Sequence, residues 1–118
     1  MNNIKAIIIA AVLAPMTLHA APLTDNHELA KQCHQLSKEL NSLKKLETVS
    51  FCKDKISSTS NFSEMAGEDL IVDRVYSAKS SLELAIQSLA YSTVEDCIQT
   101  TNISNAKAEL QKIHDALH

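Results

Sequence analysis

Apolar residues recur along most of the chain at alternating steps of three and four, the repeat that keeps one face of an α-helix buried. Leu29, Cys33, Leu36, Leu40 and Leu43 make the first such stripe. Thr24 or Asp25 can cap its start, and Lys44 and Lys45 suit the negative end of the helix dipole. Beyond Leu43 the apolar positions Leu46, Val49 and Cys52 step by three, and each such step turns the stripe back by about 60° on a 3.6-residue helix. The spacing therefore predicts a helix ending near Glu47 and a short second one across Val49 to Ser57. Ser57-Ser58-Thr59-Ser60-Asn61 reads as a loop, and Asn61 with Glu64 as a capping box that opens the next helix. Glu64, Glu68 and Asp69 then fall in its first turns, where the dipole favours carboxylates. Ile71, Val75, Ala78, Leu82, Ala85 and Leu89 follow in the most regular stripe of the chain, the pattern of a bundle seam. Ser92 with Glu95 forms a second capping box, and Val94, Cys97 and Ile98 begin another apolar face. Asn102-Ile103-Ser104-Asn105 reads as an interruption before Ala106, Leu110, Ile113 and Leu117 resume it.

Turn chemistry points the same way. The chain has one glycine, Gly67, and its two prolines, Pro15 and Pro22, both precede Leu23. A β-rich domain needs frequent Gly and Pro turn signals, and they are absent. The expected fold is all-α, an up-and-down helical bundle of three or four helices.

The first twenty residues have the form of an export signal. Met1 to Lys5 carries one positive charge, and Ala6 to Ala14 (AIIIAAVLA) is an unbroken apolar run. That run is too short for a transmembrane helix, which needs about 20 residues, but it matches a signal-peptide core. Pro15 ends it, and Leu18-His19-Ala20 supplies the small residue a signal peptidase requires. Residues 1–20 are therefore expected to be removed, leaving 21–118 as a single helical-bundle domain, periplasmic or secreted, with no stable membrane span. No cysteine stands at the cleavage point, which excludes the usual bacterial lipoprotein.

Composition narrows the function classes. Eleven Lys and Arg against 14 Asp and Glu give a net charge of −3, which excludes a basic nucleic-acid binder. Enzyme signatures are missing: no Gly-rich phosphate loop, no His-Glu-x-x-His, no nucleophile elbow and no Cys-x-x-Cys. Cys33 and His34 are adjacent, but neighbours on a helix point about 100° apart, so they read as a core thiol beside a surface histidine. Glu64, Glu68, Asp69 and Asp73 read as a solvated helix start rather than a cation site.

Export exposes Cys33, Cys52 and Cys97 to an oxidising compartment, where two would pair and one be left over. With three long helices, Cys33 and Cys97 lie near one end and Cys52 at the other. With four alternating helices, Cys52 and Cys97 share an end. A bridge needs Cα atoms within about 7 Å, so each topology admits one pairing. Cys52–Cys97 is favoured, with Cys33–Cys97 as the alternative.

Histidines offer the one ligand idea. His114 and His118 are four apart on one helical face, and His27 opens the first helix. Four alternating helices bring the chain's two ends to the same end of the bundle, where His27 could join His114 or His118 in holding haem b or a metal. Three helices would separate them by roughly 30 Å.

The mature start, Ala21-Pro22-Leu23-Thr24-Asp25-Asn26-His27, resembles that of the soluble periplasmic cytochrome b-562 family. The end, Asn102 through Ala106-Lys107, Leu110, Ile113 and Ala116-Leu117-His118, is similar to that family's last helix. The resemblance implies an exported four-helix bundle holding b-type haem between a first-helix methionine and a histidine near the C-terminus. Here His27 stands in the methionine's place, and His118 is the last residue. A weaker likeness is to small acid-stress periplasmic chaperones, in which two cysteines are similarly spaced and the second, like Cys97, precedes a final amphipathic helix.

The residues thus predict a small exported, non-enzymatic helical bundle, a binding or chaperone-like module without a cofactor. Its partner would be a protein or small molecule, and a homodimer is compatible. The alternative is a b-type haem or metal-binding electron carrier.

Overall fold

The computed structural model of the chain describes residues 25–92 and 97–117. Four helices account for nearly all of them: α1 Asn26–Leu46, α2 Ser50–Ile71, α3 Val75–Ser92 and α4 Thr100–Ala116. Residues 1–20, expected to be a signal segment, residues 21–24, Glu95 of the second capping box and His118 lie outside the described residues. α1 packs on α2, α2 on α3, α3 on α4, and α4 returns to α1, closing an up-and-down four-helix ring. The two early seams are extensive and those of α4 are thinner, the α1–α4 seam most of all.

α1 begins where the cap predicts: the Asp25 side chain accepts the Glu28 N–H at 2.8 Å. Its stripe of Leu29, Cys33, Leu36, Leu40 and Leu43 is buried. A three-residue link then leads into α2.

α2 corrects the sequence reading most. The serine-rich stretch 57–61 is helix interior, and one 22-residue helix replaces the short helix, loop and capping box. The hydroxyls that suggest a loop are satisfied within the bundle. Thr59 Oγ1 donates to the Lys55 carbonyl one turn back at 2.8 Å. Ser60 Oγ donates to the Ser37 carbonyl at 3.1 Å and lies 2.9 Å from Ser37 Oγ, while Ser63 Oγ donates to the Cys33 carbonyl at 2.7 Å. Small polar residues let α1 and α2 approach closely and bond across the contact, which overrides their weak helix propensity. Gly67 belongs to the same contact, late in α2 rather than at a helix start. A Cβ there would lie 2.8 Å from Nε2 of His34, so the His34 ring occupies the space a side chain would need.

The turn at Val72–Arg74 cuts the regular stripe between Ile71 and Val75. Asp73 takes φ 60, its N–H donates to the Leu70 carbonyl at 3.2 Å, and the Arg74 N–H donates to the Asp69 carbonyl at 2.8 Å. This is a Schellman ending with aspartate in the left-handed position that glycine usually fills. Glu64, Glu68 and Asp69 therefore close a helix instead of opening one. Asp69 recovers partners beyond the turn, accepting from Ser77 Oγ at 2.7 Å and lying 3.9 Å from Arg74.

α3 buries Ala78, Leu82, Ala85 and Leu89, while Ile71 is exposed at the end of α2. α4 runs unbroken through Asn102 to Asn105 because Ile103, Ala106, Leu110 and Ile113 share one buried face. No helix among the described residues is long and apolar enough to cross a membrane.

Candidate functional site

The features that set this bundle apart from a plain apolar core lie along α4 and the elements holding it. At its leading end Cys52 and Cys97 form a disulfide with Cα atoms 5.8 Å apart. This is the pairing that suits four helices. The Cys33–Cys97 alternative is excluded, because Cys33 is a free thiol buried on the α1 stripe, with its pKa pushed up to about 12 by burial.

Beside the disulfide, Glu47 ends α1 with its carboxylate buried. Its oxygens accept the N–H groups of Ile98 at 3.1 Å, Gln99 at 3.0 Å and Val49 at 3.3 Å. Neither α2 nor α4 has a side-chain cap of its own, so one carboxylate from α1 serves the approach to both. Burial alone would raise the Glu47 pKa, but the converging N–H groups of Gln99, Ile98, Val49 and Thr48 outweigh it and hold the carboxyl below its ordinary range.

Midway along α4 the chemistry reverses. Glu109 is 0% exposed, and neither of its carboxyl oxygens has a hydrogen-bond partner. Glu39 on α1 is also buried, and its Oε2 accepts one long bond, 3.3 Å, from Gln35 Nε2. Burial raises the pKa of both, and the Glu39 charge raises that of Glu109 further against the pull of Lys112.

Near the far end of α4, His114 Nε2 lies 3.0 Å from Glu83 Oε2 on α3 and its Nδ1 lies 3.1 Å from Asp115 Oδ1. The bond to Asp115, followed by that to Glu83, raises the His114 pKa against the opposing effect of burial. The four-helix topology brings the His27 and His114 ends of the chain to the same end of the bundle. His27 itself is exposed in the first turn of α1, and His114 would have to give up Glu83 or Asp115 to ligate haem or a metal. His118 lies outside the described residues, among which no group of three or more His, Cys, Asp or Glu is placed to hold a metal ion.

Apart from Met65 and Leu84, which lie within α2 and α3, the large exposed apolar side chains fall toward the two ends. Leu46, Phe51 and Ile98 flank Glu47 and the disulfide cysteines in the chain, with Lys55 Nζ 5.4 Å from the Phe51 ring centroid. Ile71, Val72 and Tyr76 are exposed around the α2–α3 turn.

Sequence reasoning misses Glu39, Glu47 and Glu109. The available signal was register: Glu39 and Glu109 each directly precede a stripe leucine, Leu40 or Leu110, at the edge of an apolar face. Glu47 had no local signal for this role, because its shorter bonds come from Ile98 and Gln99, about fifty residues away in the chain. Compared with known proteins, the chain matches no protein-family model, no curated protein and no solved structure at a significant level.

Proposed function

We propose that this chain is an exported, non-enzymatic helical-bundle protein that serves as a binding or chaperone-like module, offering apolar surface to a protein or small-molecule partner. The observation that carries this reading is how α4 is held: bonded covalently just before its first turn, and lying on thin seams that enclose a carboxyl with no partner. A helix so tethered can move off the bundle without being lost. Its departure would uncover Ile103, Leu110 and Ile113 together with the apolar stripe of α1. Leu46, Phe51 and Ile98, already exposed at the tethered end, would adjoin that surface. Export is supported by the nine-residue apolar run near the start and is in keeping with the disulfide.

The test is binding of an environment-sensitive apolar dye by the oxidised chain, followed across pH and protein concentration. Dye binding that grows with a change in pH, or falls as the chain self-associates, supports the reading. Indifference to both refutes it. A second reading, a b-type haem or metal carrier, draws on the four-helix topology that returns the last helix to the His27 end. A Soret band at micromolar haem that is lost in His27→Ala would favour it, and no band would end it.

A further inference from the structure

We infer that Glu39 and Glu109 form a proton-controlled joint in the α1–α4 seam: α4 stays docked while the pair is neutral and loosens when both carboxyls ionise, pivoting on the Cys52–Cys97 bridge. The inference concerns the bundle itself and holds whatever the bundle binds.

An ionised carboxylate with no hydrogen bond and no contact with water is among the costliest groups a core can contain. Glu109 is in that position, with both oxygens unpartnered. From α1 a second buried carboxyl, Glu39, adds like-charge repulsion. On its own helix Lys112 offers the only pull toward the ionised form, and that lysine is exposed. From α3, the charged residues are Lys79 and Glu83, and these act on Asp115 and His114, more than a turn further along α4. Burial outweighs both the pull of Lys112 on Glu109 and the long Gln35 bond to Glu39, so each carboxyl retains its proton to higher pH than a free one does.

α4 is the element that yields. α1 is fastened to α2 by the Ser37, Ser60 and Ser63 bonds and by the His34 ring against Gly67. α4 is held by its thin seams, by the His114–Glu83 contact to α3 near its far end, and by the Glu47 carboxylate and the disulfide at its leading end. Because the Glu47 pKa is lowered, that anchor persists at neutral pH, and the loosening is confined to the part of α4 beyond it. The sign follows from linkage. Groups with raised folded-state pKa contribute fully below the ordinary carboxyl value, and their contribution is lost as pH rises through the raised one.

The experiment is amide hydrogen exchange on the oxidised mature chain from about pH 5 to 8, corrected for intrinsic exchange rates. Protection of α4 amides around Ala106–Ile113 is expected to fall as pH rises, by up to about tenfold per pH unit for each proton released, while α2 amides hold theirs. Glu109→Gln is expected to flatten the α4 profile and keep it protected at the alkaline end. Should that variant fail to fold, Glu39→Gln carries the test, since leaving one ionisable group in the seam should shrink the fall. His114→Gln is the control for the neighbouring ion pair, which also weakens as pH rises, and should retain most of the fall. A Glu109→Gln profile matching the wild type, or a His114→Gln profile that is flat by itself, overturns the inference.

Discussion

Replacing Glu47 by glutamine tests the main tie between the two halves of the bundle. The carboxylate accepts N–H groups from Val49 in the α1–α2 link and from Ile98 and Gln99 ahead of α4. Hydrogen bonds to a charged group contribute about 1.5–3 kcal/mol each, but here the 3.3 Å bond is long and the Ile98 N–H is shared between both oxygens. Glutamine keeps one acceptor oxygen and turns the other into a donor that faces N–H groups. The expected loss is thus roughly one strong charge-assisted bond, about 2 kcal/mol. For a domain of this size that corresponds to a fall in Tm of about 8–16 °C. The pH dependence distinguishes this cause from a packing defect. Since the Glu47 pKa is lowered in the folded state, its contribution is present above the ordinary carboxyl value and is lost as pH falls through the lowered one. Thermal melts of wild type and Glu47→Gln should therefore differ at neutral pH and converge as the pH falls through the lowered Glu47 value. Equal Tm at neutral pH, or a difference that does not narrow in acid, would show that the carboxylate is not what holds residues 98 and 99.

Three further outcomes are expected. His114→Gln should remove a loss of stability that the wild type shows as pH rises past the ordinary histidine value, because the raised folded-state pKa makes the Glu83 and Asp115 contacts stabilising only below it; melts above and below neutrality measure this, and a variant with the wild-type slope would contradict it. Replacing both Cys52 and Cys97 by serine opens a loop of 45 residues and should cost about 4 kcal/mol in the chain-entropy model, read by denaturant unfolding; an unchanged midpoint would place the stabilisation elsewhere. Gly67→Ala should gain about 1 kcal/mol of helix propensity only where His34 is also alanine, since in the wild type the added Cβ meets the imidazole at 2.8 Å; the same effect in both backgrounds would mean the ring moves aside freely.

Fold class was legible in the residues because helix periodicity is a local property. The stripe from Leu29 to Leu43, the Asp25 cap and the stripe from Ala78 to Leu89 are all in place, since each depends on neighbours within a turn or two. The boundaries that went astray involve residues whose preference changes with context. Ser57 to Asn61 carries loop propensity in isolation, but the Cys33 and Ser37 carbonyls give neighbouring serines on the same helix partners that compete with water. Asp73 ends a helix without glycine or proline because a short polar side chain tolerates the left-handed conformation.

By itself, the sequence determined an all-α chain with a segment of export-signal form, three cysteines and no catalytic signature, since these are matters of composition, spacing and local period. Tertiary structure decided the number of helices, and with it the Cys52–Cys97 pairing, because only the turn at Asp73 sets which ends of the bundle the cysteines share. It also decided the roles of three glutamates that look alike in the sequence. Glu47 meets converging N–H groups and favours its charge, while Glu39 and Glu109 are buried with a single long hydrogen bond, on Glu39, and disfavour theirs. Those environments come from residues up to about seventy positions apart, a distance no local pattern spans, and the free energy of a buried charge is set by what surrounds it.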